Sequence, residues 1–354
     1  MLRSDAPPSW PGIALAGLVG GLAALLVALG NPGNMGICGA CFLRDLAGAL
    51  GFFSGPGPKV FRPEILGVMG GALAWVLARR RFAARSGSHA VTRFFFGVWM
   101  AFGALVFLGC PFRMLQRLGG GDANALVALP GFVLGVGLGL AFERRGYRVG
   151  KTEVVAPAVG LLGPFTALLL LGLFLRGALA GPGPGDASPP AHAPWGAALS
   201  ISLAAGALLS ATGFCAVSGA RQVFQRRRRM LAGVAALIAG YAAVSLATGH
   251  WAWGFGGQPA AHTDGLWSFL ALGLVGLTGV LAGGCPVRQI VMAGEGNGDA
   301  FLTTAGLVVG GALAHNWGIA STGAGTTAAG RWAVLLGLAI SVGYAAWVSS
   351  RRRG

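Results

Sequence analysis

Between Phe107 and Arg113 an apolar run ends in Gly109-Cys110-Pro111-x-Arg113, which brings a thiol, a proline and a guanidinium within four residues. Gly119-Gly120-Gly121-Asp122-x-Asn124 follows directly. The same pattern returns 175 positions later as Gly284-Cys285-Pro286-x-Arg288, followed by Gly294-x-Gly296-Asn297-x-Asp299. The Asp/Asn pair is kept with its members exchanged. A second pair recurs at nearly the same offset, Gly36-x-Cys38 with Arg44 and Gly213-x-Cys215 with Arg221. The chain reads as a duplication whose chemistry is built from cysteine and arginine.

Four of the five cysteines lie in these duplicated settings. Glycine just before each thiol lets the chain turn sharply, and proline at 111 and 286 suits the first turn of a new helix, where its missing N–H is not needed. Each thiol is thus expected at or near a helix N-terminus, where free N–H groups favour an anion and lower a thiol's pKa. Arg113 and Arg288, or Arg44 and Arg221, add a full positive charge nearby. An arginine at membrane depth is costly unless it faces a cavity or a partner, which makes it a functional candidate. Soft sulfur donors with anion-attracting arginines describe a path for a small anion containing sulfur or selenium.

Plainer readings stand beside this one. A free cysteine is often a small buried hydrophobe. Cys41 has no matching thiol in the second half, where Val217-Ser218 occupies that region; with Cys38 it forms Cys-x-x-Cys, which could be a redox dithiol. Arg44 and Arg221 could simply anchor short helices at the interface. Asp122, Asn124, Asn297 and Asp299 are either caps of the helices that follow or accessory groups beside the pathway. Asp45 and Glu295 have no repeat partner in kind and are expected to pair with arginines.

Composition fixes the elements that must hold these groups. Hydrophobic residues make up 55% and charged residues 10%, against roughly 25% charged in soluble domains. Ten apolar runs near the ~20 residues that cross a bilayer are expected to be helical spans. They are 12–30, 64–79, 94–110, 125–142 and 154–175 in one half, and 196–212, 230–248, 266–283, 300–318 and 332–350 in the other. Residues 35–50 and 213–224 are too short and too polar to span and read as re-entrant short helices packed against protein. Glycine, 64 of 354 residues, permits close helix approach, as at Gly17-x-x-x-Gly21 and Gly67-x-x-x-Gly71. Met1 to Pro11 leads straight into a span, so no cleavable leader is expected.

The net charge of +16 does not point to nucleic acid, because no basic stripe with interleaved aromatics exists. The cations instead cluster between spans: Arg79, Arg80, Arg81, Arg85 and Arg93; Arg144, Arg145, Arg148 and Lys151; Arg226 to Arg229; and Arg351 to Arg353. All fall on the cytoplasmic side of a ten-span arrangement with both termini inside, while 176–195 and 249–265 fall outside. The fold class expected is therefore an all-α polytopic membrane protein. Its repeats are 1–176 and 195–354, joined by a Pro/Gly-rich linker at 177–194 carrying Pro182, Pro184, Pro189, Pro190 and Pro194. Five spans per repeat is an odd number, so the repeats should be inverted relative to each other.

His89, His192, His250, His262 and His315 are scattered, with no spacing that would clamp haem or a metal. The glycines at 119–121 are not followed by Gly-Lys-Ser/Thr and make no P-loop. Neither a cofactor nor a metal is expected, nothing resembles an ATPase, and the leading reading is not an enzyme.

The motifs Gly33-Asn34-Met35-Gly36-Ile37-Cys38, Cys41-Phe42-x-Arg44-Asp45, Phe107-Leu108-Gly109-Cys110-Pro111-x-Arg113, Gly213-Phe214-Cys215, Ser218-Gly219-Ala220-Arg221-Gln222 and Gly283-Gly284-Cys285-Pro286-x-Arg288-Gln289 resemble those of the YeeE/YedE family. The resemblance runs from about residue 12 to 350 and is strongest to the YedE branch, described as selenium transporters. It implies a bacterial inner-membrane permease for thiosulfate or a related sulfur or selenium compound, passed along Cys38, Cys110, Cys215 and Cys285. It also implies a small cytoplasmic sulfur carrier of the TusA/SirA kind as acceptor; beyond basic cytoplasmic loops, no docking motif for one is present. The alternative from another class is a membrane thiol oxidoreductase or sulfurtransferase that forms a covalent persulfide or disulfide.

Overall fold

A computed structural model describes residues 10–181, 192–225 and 229–351. Among the described residues there are ten long helices: α1 (Trp10–Ala28), α3 (Pro63–Ala78), α4 (Ala90–Phe107), α6 (Asn124–Arg144), α7 (Pro157–Leu175), α8 (Trp195–Thr212), α10 (Arg229–Ala247), α11 (Gly265–Ala282), α13 (Gly298–Asn316) and α14 (Ala328–Arg351). Four short ones lie between them: α2 (Gly39–Ala49), α5 (Pro111–Gly119), α9 (Ala216–Gln225) and α12 (Pro286–Gly294). The sheet content of the described residues is one antiparallel pair, β1 (Arg85–Ser86) with β2 (Glu153–Val154). Every apolar run in the sequence has become a helix. Pro182, Pro184, Pro189 and Pro190 of the linker lie outside the described residues, as do Met1 to Ser9, Arg226 to Arg228 and Arg352 to Gly354.

Among the described residues, eight stretches are long and apolar enough to cross a membrane, three of them being α4–α5, α8–α9 and α11–α12 taken together. Ten spans were expected. The difference lies in α3, which has 16 residues, and in α13, whose 19 residues include Asp299, Thr303, Thr304, His315 and Asn316. α13 and the first half of α3 are buried inside the bundle, where polar groups find partners. The outer helices show the opposite pattern. Phe165, Leu168 and Leu169 on α7 and Trp332, Leu336 and Ile340 on α14 are exposed, as apolar faces turned to lipid would be.

Helices pack across the halves more than within them. α1 lies along α10 and α3 along α8; α4 lies along α13 and α6 along α11. Exchanging each first-half helix for its second-half counterpart returns the same pairs. At the α3–α8 crossing, a Cβ on Gly71 would run into the Leu203 carbonyl, and one on Gly206 into that of Val68. Backbones this close leave van der Waals packing in place of the hydrophobic drive that lipid removes. The final helices break the exchange: α7 packs on α3, α12 and α13, whereas α14 packs on α11, α4 and α6.

Contacts between loops define two faces. On one, β1 pairs with β2, Arg85 N donates to Gly296 O at 3.0 Å, and His89 N donates to Val149 O at 3.1 Å. This face gathers the cations of 79–85, 144–151 and the end of α14. On the other, Ala193 N donates to the Asn31 side chain, Ala252 N to Gly120 O, Phe61 N to Ala180 O and Thr326 N to Asp264. The charge asymmetry read from the sequence is thus an asymmetry between faces.

Candidate functional site: four thiols at four helix starts

Each short helix begins at a thiol. Cys110 and Cys285 are the N-cap residues of α5 and α12, with Pro111 and Pro286 in the first turn. Cys38 caps α2, its Sγ accepting the Cys41 N–H at 3.4 Å, and Cys215 directly precedes α9. The preceding helices stop by the same device in both halves. Leu108 and Gly283, equivalent by the 175-residue offset, both take left-handed backbone, with φ of 61° and 87°. A leucine there is strained where a glycine is not. Proline then starts the new helix in a new direction.

The four starts converge. Sγ of Cys38 and Sγ of Cys110 are 3.7 Å apart, and Cys215 and Cys285 are neighbours. The two pairs abut: a Cβ on Gly39 would sit 2.8 Å from Val287 N and 2.9 Å from Pro286 C. Next to Cys110 and Cys215, the rings of Phe112 and Phe214 meet edge to face at 6.0 Å. All five cysteines are unpaired in disulfides and buried. Backbone N–H groups of Gly39 and Arg113 face the Cys110 sulfur, and those of Ser218 and Cys285 face that of Cys215. The result is a cluster of polarisable sulfurs set among helix N-terminal donors, a setting that favours negative charge. Cys41 joins it through its backbone N–H and lies one turn into α2, itself buried.

The four arginines singled out from sequence have different surroundings. Arg44 donates from Nε to Asp45 at 2.5 Å and contacts His315 Nε2 at 2.8 Å. Arg221 makes a two-pronged pair with Glu143 at 2.8 and 2.6 Å, and Arg288 one with Glu295 at 3.0 and 3.1 Å. Arg113 meets carbonyl oxygens instead: Asn34 O at 2.9 Å, Pro259 O at 3.3 Å, and Leu108 O. Arg44 and Arg113 lie toward the face of the 31–34 and 249–264 loops; Arg221 lies toward the face that gathers the cations. Asp45 is shared, since Arg62 also donates to it at 2.6 Å.

The Asp/Asn pairs organise the ends of α5 and α12. Asp122 accepts Arg117 Nε at 2.6 Å together with the backbone and side-chain amides of Asn124, both at 2.9 Å. Asn124 also donates to Phe255 O at 2.8 Å. Asn297 caps α13 by accepting the Ala300 N–H at 3.0 Å. Asp299 accepts from Ser86, Gly87, Ser88 and Thr152 and faces Arg93 at 3.7 Å. These groups are held by protein partners outside the thiol cluster.

Sequence reasoning missed several residues that shape the site. Gln116 is fully buried; its Oε1 accepts the N–H groups of Gly36 and Ile37 at 3.0 and 3.1 Å, and its Nε2 donates to Ile37 O at 2.5 Å. That places the turn before Cys38 against α5. Arg117, also buried, pairs with Asp122 and lies over the Phe107 ring at 4.2 Å. Both follow Arg113 by about one helical turn, and polar residues in so apolar a chain were a usable signal. Glu64, Asn31 and His192 form a second buried group: Asn31 Nδ2 and His192 Nε2 approach Glu64 Oε1 at 2.6 and 2.8 Å. His192 lies 128 residues from Glu64, and no local pattern announces that contact. Comparison with known proteins finds no family model that matches the chain and no curated protein that matches it.

Proposed function

We propose that the chain is a multi-pass permease of the bacterial inner membrane, related to the YeeE/YedE family, that moves a small sulfur- or selenium-containing anion. The carrying observation is the convergence of four buried thiols at four helix starts, two from each half, with Cys38 and Cys110 3.7 Å apart. In this reading the two halves are inverted repeats of about five spans each, and α2, α5, α9 and α12 are re-entrant. The reciprocal packing of α1 on α10 and α3 on α8 supports that relation. The cation-rich face is the cytoplasmic one, and the face of the 249–264 loop is the outer one.

The anion enters beside Arg113, sheds water against the N–H and S–H donors around Cys38 and Cys110, passes to Cys215 and Cys285, and leaves past Arg288 and Arg221. Thiols suit such a relay because S–H is a weak donor and sulfur is polarisable. Each stop then binds enough to admit the ion but not enough to keep it. A TusA/SirA-like carrier at the cytoplasmic face would accept the product. Uptake of labelled thiosulfate and labelled selenite, measured side by side in cells lacking their own importers, tests this. Accumulation of one of them, lost in Cys110→Ala with the protein still in the membrane, is the expected result; no accumulation of either contradicts it.

The close approach of Cys38 and Cys110 also favours a second reading, a thiol oxidoreductase or sulfurtransferase. Mass spectrometry of the five cysteines after substrate exposure separates the two. A stable sulfur or selenium adduct belongs to the enzyme, unmodified thiols to the permease.

A further inference from the structure

The two halves differ at one register position in a way that alters the charge of the site. Laying Cys110 on Cys285 puts Gly119 on Gly294, Gly121 on Gly296 and Asp122 on Asn297, so Gly120 stands where the second half has Glu295. Glu295 occupies both terminal nitrogens of Arg288 and accepts the Ser210 hydroxyl at 2.9 Å. Gly120 offers no carboxylate, and the Asn34 side chain fills the space that a Cβ there would take. Arg113 therefore lacks the partner that its counterpart has.

The contrast extends to the other interior arginines. Among the described residues, Arg44 and Arg62 pair with Asp45, Arg93 with Asp299, Arg117 with Asp122, Arg221 with Glu143 and Arg288 with Glu295. Arg113 is 0% exposed and, among the described residues, has carbonyl dipoles but no carboxylate within ion-pair distance. An uncompensated buried charge is strongly unfavourable, and three carbonyls offset only part of it. Asn34, whose carbonyl oxygen accepts Arg113 Nε at 2.9 Å, also accepts the Tyr241 hydroxyl on its Oδ1 at 3.5 Å.

We propose that a small inorganic anion is the missing counter-charge of Arg113, bound beside Asn34 and Tyr241, and that Glu295 is a built-in anion that holds Arg288 in place of the substrate. The Arg113 end is then the high-affinity end and the Arg288 end the low-affinity end, which makes Glu295 a positioning residue for release. The release role rests on the permease reading; the anion site at Arg113 rests on burial and charge alone.

Thermal unfolding of purified protein is followed against sodium thiosulfate and, separately, sodium chloride, with gluconate holding ionic strength constant. The unfolding midpoint should rise with anion in the wild type. Arg113→Gln should fold in gluconate and bind roughly 10- to 100-fold more weakly, the loss expected for one charge-assisted hydrogen bond. Glu295→Gln should bind thiosulfate more tightly and, if it transports, do so more slowly. Bromide in crystals of the wild-type protein should give an anomalous peak at the Arg113 guanidinium, which keeps the site testable even if Arg113→Gln fails to fold. No bromide there, or anion dependence intact in Arg113→Gln, overturns the site; unchanged affinity in Glu295→Gln overturns the release role. Chloride dependence without thiosulfate dependence leaves the site standing and removes the sulfur-permease reading.

Discussion

Cys38 and Cys110, 72 residues apart in the chain, place their sulfur atoms 3.7 Å from each other, each at the N-cap of its own short helix. The contact joins α2 to α5 within one half, and the Cys215–Cys285 contact joins α9 to α12 in the other. Each half thus brings two of its cysteines together at the starts of two short helices.

A disulfide needs its sulfurs at about 2.05 Å with suitable Cβ geometry, so a small shift would join Cys38 to Cys110. Copper-phenanthroline treatment of membranes should produce a Cys38–Cys110 cross-link, seen by peptide mapping, and should stop uptake until dithiothreitol restores it. Cys110→Ala should abolish the cross-link. Failure to form it in the wild type would contradict the convergence of the two helix starts.

Gly39 separates Cys38 from the rest of α2 and lies against Val287 N and Pro286 C of the opposite half. Alanine normally favours a helix over glycine. Here its methyl group would force α2 and α12 apart, and overpacking of this kind costs about 1–3 kcal/mol. Gly39→Ala should therefore lower the unfolding midpoint and reduce uptake more than Cys41→Ala does. Cys41→Ala keeps the Cys41 N–H that Cys38 Sγ accepts, so it should transport close to the wild-type rate. A fully active Gly39→Ala would separate the α2–α12 contact from function.

The buried and half-exposed ion pairs should respond differently. Asp45 lies between Arg44 and Arg62, all three buried. Asp45→Asn strands two guanidinium groups, for which a loss of about 3–5 kcal/mol is expected; little folded protein should reach the membrane. Arg221 and Glu143 are 22% and 33% exposed, and a pair so placed contributes only about 0–1 kcal/mol. Arg221→Gln should accumulate normally, so any fall in uptake reports on function. The comparison needs only membrane abundance by immunoblot and uptake.

Much of the fold was legible because long apolar runs leave the chain few choices. The run 94–110 became α4, shifted by three to four residues, and the run 266–283 became α11, shifted by one, since a helix is the simplest way to satisfy backbone groups in hydrocarbon. Pro111 and Pro286 marked the starts of α5 and α12 through their missing N–H. The runs 64–79 and 300–318 were also found, but their burial inside the bundle was not. What covers α13 is α4 and α2, and that depends on three-dimensional packing across the halves. The partners of polar groups were harder still. Glu295 was expected beside an arginine and lies on Arg288. The partnership of Glu64 with His192 and the grip of Gln116 on Gly36 and Ile37 join distant parts of the chain and leave no periodic trace. The meaning of Gly120 appears only when Asn34 is seen in the space a side chain would fill.

The central claim is that the thiols at the four helix starts carry the anion. The most direct measurement is entry of labelled thiosulfate and of labelled selenite into liposomes holding only the purified protein, with Cys38, Cys110, Cys215 and Cys285 changed to alanine one at a time. The account predicts entry of at least one anion with the wild type and its loss in Cys110→Ala and Cys285→Ala, each still folded. Equal entry in the wild type and in both of those variants would contradict it and remove the thiols from the mechanism.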